Sequence, residues 1–418
     1  MLYQNFDLYQ RSLQLWNPFF DLSRKIITDN VSRYTDTLTG QSLNAFLEMG
    51  MDFTKAYGKP EFGIDKMDVD MVKYHVTEEV VLSKPFCNLL QFRHTDEGTR
   101  PRVLLIAALS GHHATLCKST IEALLPEHDL FVTDWMDAKH VPVSDGRFGF
   151  EEYISYLIEF LQLIGPNTHV IAVCQPTVQA LMATAIMSEQ QDPATPTSLT
   201  LMAGPVDTRV NANEVHDFAN EYPRAWYKET LIHTVPLGYA GAGRKVYPGF
   251  LQLWCFMAMN MGSHLNKFSD FYLHLIRGDE ESVDRHREFY DEYFAVLDLT
   301  EEFYMETMDR VFREHHLANG LASYQGEPVN LGAISNTALF TVEGENDDIC
   351  AVGQTEAAQG MCENIPSTMR KHLVQPGVGH YGVFSGSKFR DLIAPKIASF
   401  IRKFDKSREE VSFKKVAG

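Results

Sequence analysis

The segment His169-Val170-Ile171-Ala172-Val173-Cys174-Gln175-Pro176-Thr177 holds the residue with the strongest claim to chemistry. Its first five residues read as a buried strand. Pro176 suits the first turn of a helix, where its missing N–H has no intrahelical partner anyway. A cysteine in a strand-to-helix turn is pushed out beyond the sheet and faces the positive end of the helix dipole, which favours the reactive thiolate. Thiolate attack on an acyl carbonyl needs a base for the thiol proton and an acid to orient that base. Two later segments offer both. Thr341-Val342-Glu343-Gly344-Glu345-Asn346-Asp347-Asp348-Ile349 sets acids in the loop after a strand, and Pro376-Gly377-Val378-Gly379-His380-Tyr381-Gly382 sets a histidine among glycines after the next strand. His380 is expected to take the thiol proton and Asp347 to hold the imidazole tautomer. Asp348 is the alternative acid, because spacing does not separate neighbours. A lone cysteine after a strand is ordinarily buried filler, but nucleophile, acid and histidine following three successive strand ends read together as a triad.

The developing oxyanion needs donors. The backbone N–H groups of Gln175 and Ser110 are expected to supply them, Ser110 lying in the loop Leu109-Ser110-Gly111-His112-His113 where Gly111 can turn a backbone N–H inward. Ser110 is the weaker candidate nucleophile because no elbow surrounds it. No G-x-S-x-G occurs anywhere; Ala172 and Pro176 stand at the glycine positions around Cys174. The adjacent His112 and His113 diverge and lack a third ligand at metal spacing, so no metal is expected, and a thiol route requires no organic cofactor.

These residues must be carried by a regular frame. Residues 1–70 read as mostly helical; Leu2, Phe6, Tyr9, Leu13 and Trp16 share one face, expected to pack on the protein's own core. His75–Leu82 and Phe86–His94 read as paired strands. Then strands at Val103–Leu109, Leu130–Thr133, His169–Val173 and Ser198–Met202 alternate with helices near Leu116–Leu125, Phe150–Ile164 and Val178–Ser188. Continuous apolar strands joined by helices imply a parallel sheet covered on both faces. The alternation stops after Gly204 and resumes with strands at Ala338–Val342 and His372–Val374 and helices at Gln354–Cys362 and Phe389–Phe404. The chain order Cys, Asp, His is that of an α/β-hydrolase. The expected organisation is an N-terminal helical extension (1–70), a first core part (71–204), a large, mostly helical cap inserted before the acid-bearing strand (205–330), and a second core part (331–418). The run Asp279-Glu280-Glu281 reads as a solvated loop.

Composition narrows the function. The 418 residues are 44% apolar, enough for a large core, and carry 37 Lys and Arg against 55 Asp and Glu, a net charge of −18. Such acidity argues against nucleic-acid binding, which relies on neutralising phosphates; the basic stretch Arg402–Lys415 is diluted by Asp405, Glu409 and Glu410 and reads as a solvated helix end. Six dispersed cysteines form no CxxC pair, as in a reduced, intracellular protein. No signal-peptide pattern is visible, and no apolar run approaches the roughly 20 residues of a transmembrane helix.

The chain resembles the intracellular polyhydroxyalkanoate (polyhydroxybutyrate) depolymerases, a cysteine-nucleophile branch of the α/β-hydrolases. The blocks that carry the resemblance begin with Met1-Leu2-Tyr3-Gln4, Leu109–Leu116, Thr133-Asp134-Trp135 and Val173–Thr177. They continue with Gly243–Gln252, Phe289–Tyr293, Val342–Glu345 and Gly379–Gly382. The resemblance implies Cys174, Asp347 and His380 as the triad. It also implies ester hydrolysis of stored poly(3-hydroxyalkanoate), preferably short-chain, at storage granules in the cytoplasm. A water-insoluble polyester calls for apolar contacts, expected from His112, Trp135, Tyr247, Phe250, Trp254 and Tyr381. The partner expected is the polymer or granule surface, with homo-oligomerisation left open. The competing expectations are a polyhydroxyalkanoate synthase-like acyltransferase, which passes the acyl group to a polymer hydroxyl, and a non-catalytic granule-binding protein.

Overall fold

The computed structural model describes residues 2–30, 37–69, 72–94, 100–259 and 261–406. Nine strands make the principal sheet: β1 (Lys66–Val69), β2 (Val72–Lys84), β3 (Cys87–His94), β4 (Arg102–Ile106), β5 (Asp129–Trp135), β6 (Thr168–Val173), β7 (Ser198–Met202), β8 (Ala338–Gly344) and β9 (Arg370–Gln375). Their spatial order is β1-β2-β3-β5-β4-β6-β7-β8-β9. The β1–β2, β2–β3 and β3–β5 pairs are antiparallel, and from β5 through β9 every pair is parallel. This is the expected α/β-hydrolase class. The helices used below are α1 (Leu2–Gln14), α2 (Asn17–Asn30), α3 (Leu38–Thr54), α4 (Phe150–Ile164), α5 (Thr177–Glu189), α6 (Gly249–Met259), α7 (Glu280–Phe294) and α8 (Ala394–Phe404).

The central strands are apolar along their whole length because both faces are covered. In β4, Leu104 and Ile106 enter one core with α4 and α5, while Val103 and Leu105 enter the other with α8. β6 divides in the same way: Val170 and Ala172 to one side, Ile171 and Val173 to the other. β4 lies between β5 and β6, so the chain steps to one side of β4 and then returns across it. Such a reversal opens a crevice at the strand C-termini, where ligands of open α/β sheets bind. The loops after β4 and β6 are the ones that hold Ser110 and Cys174.

Several elements differ from expectation. The apolar run after Val103 leaves the sheet at Ile106, because the Ala107 amide donates to the Thr133 hydroxyl (3.0 Å) instead of continuing the ladder. The helix expected over Gln354–Cys362 is regular only from Ala357 to Met361. The buried Glu343 carboxylate accepts from the amides of Gly353 (2.9 and 3.0 Å), Thr355 (2.7 Å) and Glu356 (3.0 Å), which holds the preceding turn open. Asp279-Glu280-Glu281 is not a loop: Asp279 caps α7 by accepting from the Ser282 amide, and the two glutamates occupy its first turn. The N-terminal apolar face splits. Tyr3 and Phe6 pack with Val246 and Phe250, whereas Leu2, Tyr9 and Trp16 stay exposed, because only the early turns of α1 meet α6. Beyond Lys406 the basic stretch lies outside the described residues; Arg402 pairs with Glu127.

The chain between β7 and β8 is fastened to the core at two points. After α7, the Leu297 amide donates to Gly111 O (2.8 Å), His112 bridges Val296, and the Thr115 hydroxyl donates to Glu292 (2.7 Å). At the other point, Asp298 accepts from the Gly249 amide (2.9 Å) at the start of α6 and from the Tyr3 hydroxyl of α1. Among the described residues no helix is long and apolar enough to cross a membrane.

Two predictions follow from these buried carboxylates. Glu343→Ala leaves several buried amides without an acceptor and is expected to cost about 3 kcal/mol in urea unfolding, with Glu343→Gln, which keeps one acceptor oxygen, losing about half as much. Burial raises the Glu292 carboxyl to about 7, against the opposing effects of Thr115 and Lys118. Its contribution to stability is therefore full below about pH 4.5 and lost as pH rises through about 7. Glu292→Gln is expected to match wild type in thermal unfolding near pH 5 and to exceed it by ~3 °C at pH 8.

Candidate active site

Cys174 is the first residue beyond β6, and its backbone is left-handed, with φ 66°. For a residue with a Cβ this conformation costs about 1–3 kcal/mol and persists only when its surroundings enforce it. Here the Cys174 amide still donates to Met202 O on the neighbouring strand (2.8 Å), while Cys174 O already accepts from the Thr177 amide (3.2 Å) at the start of α5. One residue thus closes the sheet and opens the helix. The tight turn also needs Gly204: a Cβ there would lie 1.9 Å from the Thr177 hydroxyl oxygen.

His380 and Asp347 arrive from the loops after β9 and β8. The imidazole Nδ1 lies 2.9 and 3.0 Å from the two Asp347 carboxylate oxygens, and both side chains are buried. Asp347 is fixed in turn by the amides of Ile349 (3.0 Å) and Cys350 (2.7 Å) donating to Oδ1. Asp348, the alternative acid, is exposed. The His380 imidazole and Cys174 border one cavity, near enough for each to feel the other's charge. Burial disfavours its positive charge, but Cys174 and Asp347 together outweigh burial and hold its pKa well above the ordinary histidine range. The result is a carboxylate hydrogen-bonded to an imidazole that shares a cavity with the thiol, an arrangement suited to moving a proton off sulfur.

Gln175 and Ser110 both line the same cavity, and neither backbone amide donates to another backbone group among the described residues. The loop bearing Ser110 is held from below by the Trp135 indole, which donates to Ala107 O (2.9 Å), and from above by Leu297. The cavity has a volume of about 460 Å³, and much of its wall is apolar, from Leu116, Phe218, Tyr304, Phe312 and Phe384.

The other expected contacts divide. His112, Tyr247 and Tyr381 line the cavity. His112 is neutral, burial lowering its pKa to about 4, and its Nε2–H donates to Tyr293 O (3.2 Å). Trp135, Phe250 and Trp254 do not line it. Trp135 is buried beneath the sheet edge, stacked on Tyr153. Phe250 is sandwiched against Phe6 of α1. Trp254, 53% exposed, sits on the outer surface against Phe6. Aromatic character alone did not distinguish core, cavity and surface. Two polar cavity residues escaped sequence reasoning, Gln252 and Thr307. Gln252 lies within the Gly243–Gln252 block, but its helical spacing from the aromatics gave no sign of which way it faces.

Residues 203–405 match the family model described as PHB de-polymerase C-terminus. The matched segment includes Asp347 and His380, while Cys174 precedes it. No curated protein matches the chain. Solved structures similar to it include a putative lipase from Acinetobacter baumannii AYE, with 13% identity, TM-score 0.45, and coverage of 79% of this chain and 92% of that one. A soluble variant of monoglyceride lipase from Saccharomyces cerevisiae, in complex with a substrate analogue, has 12% identity and TM-score 0.44, covering 80% of this chain and 98% of that one. An esterase from Rhizomucor miehei has 10% identity and TM-score 0.45, covering 81% and 84%. The likeness to the PHB de-polymerase C-terminus family thus covers just under half of the chain, the half that holds Asp347 and His380.

Proposed function

We propose that this protein hydrolyses the ester bonds of stored poly(3-hydroxyalkanoate), with short-chain poly(3-hydroxybutyrate) as the preferred polymer, through Cys174, His380 and Asp347. The observation that carries this reading is the His380 imidazole, hydrogen-bonded to Asp347 and sharing a largely apolar cavity with Cys174. His380 takes the thiol proton, and sulfur attacks the ester carbonyl carbon, forming the C–S bond. The Gln175 and Ser110 amides receive the oxyanion. As the tetrahedral adduct collapses, the C–O bond breaks and His380 protonates the departing alkoxide, leaving a hydroxyacyl thioester. Water, deprotonated by His380, attacks the thioester, and cleavage of the C–S bond releases the hydroxy acid and restores the thiol. Asp347 stays ionised throughout and keeps the imidazole aligned. In this reading residues 205–330 act as a cap over the site.

An insoluble substrate must also be met at its surface. The N-terminal helices expose Leu8 and Leu15 of α1 and its flank, Trp16, Phe19 and Leu22, and Trp254 of α6 lies against Phe6 of the same unit. Large exposed apolar side chains gathered on these helices, with Trp16 in edge contact with Phe19, suit an interaction site. We assign it to contact with the polymer granule, which fits an enzyme that works inside the cell at stored polymer.

Product analysis tests the chemistry. Wild type is expected to release soluble 3-hydroxy acids from amorphous poly(3-hydroxybutyrate). Cys174→Ala should release essentially none, and Asp347→Asn should lower kcat by about 10³-fold with correct folding retained. Release of CoA with polymer growth from hydroxyacyl-CoA would instead identify an acyltransferase, and granule binding without acid release at any pH a binding protein. Trp16→Ser combined with Phe19→Ser should weaken granule binding by about tenfold or more and leave turnover of soluble p-nitrophenyl butyrate unchanged.

A further inference from the structure

The cavity wall beside Cys174 is not wholly apolar. Gln252, in the second turn of α6, lays its carboxamide directly on Gly111: Cδ and Oε1 lie 2.6 Å, and Nε2 2.9 Å, from where a Cβ at that position would be. Gly111 itself has φ +103°. Glycine is therefore required there twice, for the turn and for the close approach of the amide. The carboxamide borders the cavity shared with Cys174 and His380 and makes no hydrogen bond among the described residues. A second observation is independent of it. Thr307, on another element of the same wall, is 1% exposed, and its hydroxyl has no hydrogen-bond partner among the described residues.

Buried polar groups are ordinarily satisfied, and a buried donor left alone is a cost. Thr307 is such a group, and with the half-buried Gln252 carboxamide on the same ester-sized cavity it suits a ligand that brings acceptors. A simple alkanoate ester brings one carbonyl, which the Gln175 and Ser110 amides would occupy. An oligoester of hydroxy acids brings a carbonyl at every repeat and so has acceptors left over.

We propose that Gln252 and Thr307 are specificity-determining residues that donate hydrogen bonds to ester carbonyls flanking the scissile one, so that the site selects oligomers of hydroxyacyl units over simple esters of similar size. The selection rests on the hydrolytic reading given above. Gln252 is poised for this by its anchorage. The first amide of α6, at Gly249, is held by Asp298, and the Gly111 turn beneath it is held by Leu297.

The test compares two soluble substrates, a 3-hydroxybutyrate trimer ester and p-nitrophenyl butyrate. Gln252→Met and Thr307→Val keep volume but remove the donors. Each is expected to lower kcat/KM for the trimer by about three- to tenfold and to leave p-nitrophenyl butyrate within twofold, with Thr307→Ser restoring wild-type behaviour. An equal loss on both substrates, or no loss on either, overturns the proposal. Circular dichroism and thermal unfolding establish that each variant is folded, and Gln252→Asn gives a second amide variant if Gln252→Met fails to fold. Failure of the hydrolytic reading is read separately: it is a wild type inactive on the trimer, or Cys174→Ala fully active on it.

Discussion

The left-handed backbone at Cys174 is the constraint on which the site depends. A strand buried on both faces has no freedom to drift, and β6 is tied to β4 and β7 along its length. The helix that follows must begin at once to cover the sheet. Only a residue in an unfavourable conformation joins the two, and its side chain then has one direction left, outward at the C-terminal edge. The apolar core thus pays for a local strain that no surface loop would hold. The outward placement of the sulfur is a by-product of packing several residues below it.

The same edge receives the candidate acid and base, each from a different loop. Asp347 follows β8 and is locked by two amides; the turn beyond it is braced by Glu343. His380 follows β9 and meets Asp347 because those two strands are parallel neighbours. The loop after β4 is different, since its conformation is set from both sides. Trp135 holds its start through the indole N–H, and the chain after α7 holds its middle at Gly111. The chain between β7 and β8 therefore shapes the site as well as lining it.

The parts of the molecule that sequence made legible are those governed by periodicity and by chain order. Apolar runs located β4 to β9 to within a few residues, and the succession of cysteine, acid and histidine after strand ends brought the three side chains to one place. What stayed hidden depended on long-range partners. Helix 357–361 begins late because Glu343, more than ten residues upstream, captures its leading amides. Trp135, Phe250 and Trp254 are equally apolar in sequence, and only tertiary packing separates a strut, a core ring and an exposed ring. Choosing Asp347 over Asp348 required knowing which neighbour faces His380. The short strand β1 fell in a stretch dominated by helical patterns, and it exists because β2 offers it an edge to pair with.

The hydrogen bond between Tyr3 and Asp298 joins residues 295 apart in sequence. During synthesis it closes only after nearly three hundred residues have left the ribosome, so α1 is made early and docks late. Over that interval its aromatic face lacks the seat it takes on Phe250, and apolar surface exposed in this way during folding is prone to aggregate. The buried aspartate that receives the tyrosine also anchors α6, so maturation of the pocket wall and retirement of that early helix are one event on the ribosome's clock.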